Sequence, residues 1–136
     1  MPALRNYHLL ISHSWKYNEK YEKVVEWLDD ASYFTWSNYS VCCDKPLDTS
    51  SDKELKEKLT NRIRNCSAII VLAGMYANYS KWINYEIDEA IRLGKPIIGV
   101  KPWGAERTPT KISENADVMV AWQSSSVVQA IRDYAL

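Results

Sequence analysis

No run of apolar residues in this chain approaches the ~20 needed to span a bilayer, so a conventional transmembrane helix is not expected. Neither sign of charge is in excess, because 17 Lys and Arg balance 17 Asp and Glu. A neutral chain lacks the broad field that holds DNA, RNA or an anionic membrane surface, and none of these is an expected partner. Cysteine is scarce and odd in number, at Cys42, Cys43 and Cys66. That pattern suits reduced thiols better than a disulfide framework. The two histidines, His8 and His13, combine with the cysteines at no familiar zinc spacing, so no metal site is expected. The first residues, MPALRN, lack the long apolar segment of a signal peptide, which points to a cytoplasmic protein. Phenylalanine occurs once, against six Trp and nine Tyr. Rings with polar tips suit a wet cleft or an interface, and equally partly buried packing.

What is present reads as one ordinary domain over residues 1–136, with 46% apolar and 25% charged residues. Apolar runs alternate with amphipathic ones. Tyr7–Ser12 (YHLLIS), Phe34–Val41, Ser67–Ala73 (SAIIVLA), Pro96–Val100 (PIIGV) and Asp117–Trp122 read as five strands. Between them lie a helix running from an Asn18 cap to about Ala31, with Tyr21, Val24, Val25 and Leu28 on one face, and a second over Asp52–Asn65. Ser51 and Glu54 form a capping-box pattern at the start of that second helix. Lys53, Lys56, Lys58, Arg62 and Arg64 give it a basic, solvated surface. A helical turn over Lys111–Asn115 and a last helix over Ser124–Tyr134, burying Val127, Val128 and Ile131, complete the chain. Continuous apolar strands joined by helices give a parallel sheet covered on both faces. The expected fold is a flavodoxin-like α/β three-layer sandwich with five parallel strands in the order 2-1-3-4-5.

The central stretch is Ser80–Pro96 (SKWINYEIDEAIRLGKP). Ser80 is a suitable N-cap, and Gly94-Lys95-Pro96 is a stop. Ile83, Ile87, Ala90 and Ile91 form the apolar stripe between them. Trp82 and Glu86 lie four apart on the row beside that stripe, so their side chains can meet. They fit a pocket wall, and they also fit a Trp at the core's edge beside a solvated Glu. In sheets of this order, ligands bind beyond the carboxyl ends of the strands, between the first and third. The loop after Ser12 and the first turns of the central helix face that place.

The residues exclude several chemistries. The loop SHSWKYN after the first strand holds no glycine, so the phosphate cradle of a flavodoxin or dinucleotide site is missing. A phosphoacceptor receiver wants acids after strand one, an Asp ending strand three and a Lys after strand five. Here Ser12 and His13, Ala73 and Gly74, and Gln123 stand there. Ser12, His13 and Ser14 form no nucleophile elbow.

Tyr7–Ser14 (YHLLISHS) resembles the first-strand box of TIR domains, an apolar strand running into a Ser-rich loop. Lys81–Glu86 (KWINYE), followed by Ala90 and Gly94-Lys95-Pro96-Ile97-Ile98, resembles their Trp-x-x-x-Glu helix and next strand. More narrowly, the whole chain is similar to the stand-alone bacterial TIR-like proteins that include the TIR subunit of Thoeris anti-phage defence. It departs from animal signalling TIR domains at Cys42–Thr49, which does not spell Arg-Asp-x-x-Pro-Gly, although Asp44 and Pro46 remain.

The resemblance implies chemistry on NAD as substrate, with no cofactor and no metal. Glu86 matches the catalytic glutamate. Trp82 would wall the ribose or nicotinamide, and Ser12, His13, Ser14 and Trp15 would border the cleft and hold diphosphate or ribose. Asp44 and Lys45 would close over the ligand or touch a neighbouring subunit. A Thoeris-like protein would make a signal nucleotide read by a separate effector, and self-association is compatible with the family. A non-catalytic TIR-like scaffold, working through the Cys42–Ser51 loop or the Asp52–Asn65 helix, is the alternative.

Overall fold

The computed structural model describes residues 6–12, 19–39, 52–72, 76–101 and 110–136, with only the backbone of the helical residues 19–20, 52–55, 76–82 and 110. In chain order the elements are β1 (Asn6–Ser12), α1 (Glu19–Asp30), β2 (Thr35–Asn38), α2 (Asp52–Asn65), β3 (Ala68–Leu72), α3 (Tyr76–Arg92), β4 (Ile97–Val100), α4 (Thr110–Asn115), β5 (Val118–Val120) and α5 (Ser124–Tyr134). The strands form one parallel sheet in the order β2-β1-β3-β4-β5. This is the topology that the alternation of strands and helices predicts. In β1 the neighbours Leu9, Leu10 and Ile11 point to opposite faces of the sheet and are all buried, as are all five residues of β3. Only a sheet covered on both sides buries every residue of a strand. α1 packs against α5, while α2, α3 and α4 pack in succession. Right-handed crossovers sort the helices in this way, because α1 steps from β1 toward one edge and the next three step toward the other.

The core joins the apolar faces of the helices to the sheet. Val24 and Leu28 of α1, Leu59 and Ile63 of α2, Ile83, Ile87 and Ala90 of α3, and Val127 and Ile131 of α5 are all buried. Each Val, Leu or Ile among them removed from water contributes about 1.5–3 kcal/mol. Val128 is buried as expected, while Tyr21 and Val25 are half-buried. The exposed Lys56, Lys58, Arg62 and Arg64 confirm the solvated face of α2. Three pairs of the described aromatic rings pack together. Tyr7 stacks on Phe34, His8 on Tyr39, and Trp27 tilts against Trp122.

Two expectations for the central helix need correction. It begins at Tyr76, so Ser80 is an interior residue and not its N-cap. Trp82 and Glu86 accordingly lie in its second and third turns. Tyr76 to Ser80 carries neither Pro nor Gly, so nothing there opposes a longer helix. Ile91, placed on the buried stripe, is 51% exposed.

The stop is where the sequence puts it. Gly94 has a positive φ of 70°, its N–H donates to Ile91 O at 3.2 Å, and Lys95 N–H donates to Ala90 O at 2.8 Å. This is a Schellman C-cap, with the left-handed residue at the position glycine favours. A Cβ on Gly94 would meet nothing within 4 Å, so only backbone strain opposes a side chain. Gly94→Ala should therefore cost about 1–2 kcal/mol, read as a lower midpoint in urea with an unchanged slope. A loss below a few tenths of a kcal/mol would show that the cap is not held in solution.

Candidate active site

Among the described residues, two polar side chains are buried, and they meet. Ser12, the last residue of β1, is 1% exposed, and Glu86, in the third turn of α3, is 6% exposed. Ser12 Oγ donates to Glu86 Oε1 at 3.2 Å. The register of β1 on β3 sets Ser12 beside Val71, at the carboxyl edge of the sheet. α3 leads from β3 to the parallel β4, so it runs against the strands and its start lies at the same edge. Ten residues separate Tyr76 from Glu86, about 15 Å at 1.5 Å per residue. The opening turns of α3 therefore project past the end of β1 and stand beside the space beyond the strands.

The two oxygens of Glu86 have different surroundings. Oε1 holds the Ser12 hydrogen bond. Oε2 makes no hydrogen bond to a described residue. No ion pair among the described residues involves this acid. Desolvation pushes its pKa up to about 8, partly opposed by the Ser12 bond. Glu86 is neither paired with a described cation nor turned into bulk water. It is a buried acid with one oxygen anchored by Ser12 and the other without a hydrogen bond to a described residue.

One turn further along α3, a second carboxylate shows the opposite behaviour. Glu89 accepts two hydrogen bonds from Arg92, at 2.9 and 2.7 Å, and one from Thr60 Oγ1 at 2.9 Å. Arg92 first, and Thr60 after it, hold the Glu89 carboxyl below the usual range. The Tyr85 hydroxyl lies 2.6 Å from Thr60 Oγ1 and donates to Lys56 O at 3.1 Å. These bonds tie α3 to α2 on the flank that carries Glu86. The two carboxylates of α3 are thus pushed in opposite directions, Glu86 up by burial and Glu89 down by Arg92. The Glu89–Arg92 spacing was legible as an i,i+3 pair, but nothing in the sequence announced Thr60 as their partner.

Of the expected site residues, the structure brings together Ser12 and Glu86. Trp82 lies on α3 one turn before Glu86, and its side chain is outside the described residues. His13, Ser14 and Trp15, and Asp44 and Lys45, also lie outside them, as do the Asn18 and Ser51 caps. Cys66 is buried, and burial pushes its thiol up to about 11. A thiol so far from ionising is inert as a nucleophile at neutral pH. Among the described residues no group of three or more His, Cys, Asp or Glu could hold a metal ion. No described helix is long and apolar enough to cross a membrane.

The family model for the Thoeris protein ThsB, TIR-like domain, matches residues 10–107. The chain belongs to the ThsB TIR-like family. The matched span of this ThsB TIR-like chain includes both Ser12 and Glu86. No curated protein sequence matches it. Among solved structures, the CMP N-glycosidase BcmB of Clostridium botulinum is similar with a TM-score of 0.56 at 14% identity, covering 92% of this chain and 98% of that one. A 3-dehydroquinate dehydratase-like protein from Bifidobacterium longum has a TM-score of 0.49 at 11% identity, with 95% and 94% covered. The first likeness agrees with the flavodoxin-like order of the sheet in this ThsB TIR-like chain.

Proposed function

We propose that this chain is a TIR-type enzyme that cleaves the nicotinamide–ribose bond of NAD and makes a cyclic or conjugated ADP-ribose signal in anti-phage defence. The observation that carries the reading is Glu86, a buried acid at the carboxyl edge of the sheet with one oxygen fixed by Ser12 and the other without a described hydrogen-bond partner. Membership of the ThsB TIR-like family supports it. The CMP N-glycosidase BcmB shares the fold, and by its name it acts on the same class of bond, a base–sugar N-glycosidic bond.

The chemistry asks little of the protein beyond one carboxylate. The bond from ribose C1′ to the nicotinamide nitrogen breaks with its electron pair moving to that nitrogen. The ring loses its positive charge and leaves as neutral nicotinamide, with no acid needed to protonate it. Positive charge develops at C1′ and the ring oxygen, as in glycoside cleavage. Glu86 Oε2, in carboxylate form, would stabilise that charge and hold the ribose hydroxyls. Trp82 would form the wall of the ribose or nicotinamide subsite. His13, Ser14 and Trp15, with Asp44, Lys45 and the main chain at Ser12, would bind the rest of the dinucleotide. Attack by water yields ADP-ribose and a proton, while attack by a hydroxyl or ring nitrogen of the same molecule yields a cyclic isomer. NAD is substrate here, and the reaction uses no cofactor. We further propose that the protein works in the cytoplasm, binds neither nucleic acid nor membrane, can self-associate, and passes its product to a separate effector protein.

Small-molecule mass spectrometry of phage-infected cells, with wild-type protein against Glu86→Ala, tests the reading. The expected result is nicotinamide release and a new ADP-ribose derivative in the wild type alone. Equal NAD consumption by the two proteins would overturn it. Protection that persists in Glu86→Ala but fails on substitution of the Asp52–Asn65 surface would favour the scaffold reading.

A further inference from the structure

Ser12 and Glu86 lie 74 residues apart in sequence, yet each is the other's buried polar neighbour. We propose that Ser12 is a positioning residue for the NAD reaction: its hydroxyl anchors Glu86 Oε1, leaves Oε2 to meet the ligand, and favours the charged acid. The consequence for turnover rests on the NAD-cleaving reading, whereas the effect on Glu86 does not.

A hydroxyl 1% exposed has little access to a ligand of its own. It is also the one hydrogen-bond donor that Glu86 has among the described residues. The charged groups around α3 are either engaged elsewhere or, as Lys58 and Arg62 of α2 are, exposed on the outer surface. On α4, Lys111 pairs with Asp88 at 2.6 Å. On α3 itself, Arg92 pairs with Glu89. On α2, Arg64 donates to Asn61 at 2.9 Å, and Lys56 lies 5.7 Å over the Tyr85 ring. Lys56 and Arg64 line, with Glu57, an open groove of about 520 Å³ on the outer side of Tyr85. From the segment before β3, the buried Cys66 thiol stays neutral. Glu86 therefore has no described cation to hold its charge. A donated hydrogen bond to a charged group is worth about twice a neutral one, so the Ser12 hydroxyl favours the carboxylate over the acid.

The test follows the titration of Glu86 by carbon NMR on full-length protein labelled at glutamate Cδ, with the signal assigned by its loss in Glu86→Gln. Ser12→Ala should move the Glu86 midpoint up by about one pH unit or more, and Ser12→Thr, which keeps a hydroxyl, should restore it. NAD turnover should fall about tenfold in Ser12→Ala at pH 7 and recover above the new midpoint. An unmoved midpoint overturns the proposal whatever happens to turnover. So does a loss of turnover that is uniform with pH. A shifted midpoint in protein that cleaves no NAD upholds the role of Ser12 and rejects the NAD reading alone. If Ser12→Ala fails to fold, Ser12→Cys, a weak donor of similar size, carries the same expectation.

Discussion

Glu86→Gln should lower NAD turnover by on the order of 10³-fold, the usual effect of removing a charged group that stabilises a transition state. Gln keeps the shape of the side chain and can still accept from Ser12 Oγ, so the loss would report charge and not misfolding. Wild-type turnover should also depend on pH in a stated direction. Burial holds the Glu86 pKa up at about 8, and the proposed role needs the carboxylate. Thus kcat/KM, which reports free enzyme, should rise from pH 6 and level off above about pH 8. Bound NAD brings the positive nicotinamide ring to Oε2, and an opposite charge favours the ionised acid. The limb in kcat should therefore lie at lower pH than the limb in kcat/KM. Coincident limbs, or turnover flat from pH 6 to 9, would mean that Glu86 is not the group being titrated.

The same substitution should make the fold more stable. Unfolded, Glu86 loses its proton near its ordinary value of 4.5, and folded it keeps the proton to about 8. Between those values folding takes up a proton, so stability falls as pH rises, by about 1.4 kcal/mol per pH unit. Below pH 4.5 the acid is protonated in both states and the penalty vanishes. Above about 8 the penalty is complete and constant. Glu86→Gln has no such penalty, and at pH 7 it should be more stable than wild type by about 3 kcal/mol. In a chain of this size that is about 10 °C in Tm. The two proteins should converge near pH 4. Melting curves from pH 4 to 8.5 check this, and a difference constant with pH would show that the acid is not held neutral by its surroundings. The paired result, a stabler protein without activity, is what an acid kept for chemistry predicts.

Much of the architecture was legible in the residues. The ordering of five strands and their helices followed from apolar runs between amphipathic ones, because period and continuity report which faces are buried. The end of α3 was legible because Gly94 is the residue type that left-handed backbone favours. Its start was not, since helix propensity alone does not separate Ser80 as a cap from Ser80 inside a longer helix.

Glu86 shows where local pattern stops. Around α3, at about 100° per residue, Glu86 and Ile91 lie on opposite flanks of the Ile83–Ile87–Ala90 stripe, each about 70° from its centre. Pattern alone favours burial of the isoleucine. The structure buries the acid and leaves the isoleucine half in water. The reason is tertiary: α2 covers the flank of Glu86, tied there through Thr60, Tyr85 and Glu89, and β1 brings Ser12 beneath it.

By itself, then, the order of residues determined the parallel sheet, the stop of α3 and the candidacy of Glu86, because each depends on neighbours within a few positions along the chain. That acid's loss of water and its single hydrogen bond were decided only when α2 and β1 came to lie beside it. Desolvation depends on what the fold places around a group, and those neighbours are distant in sequence.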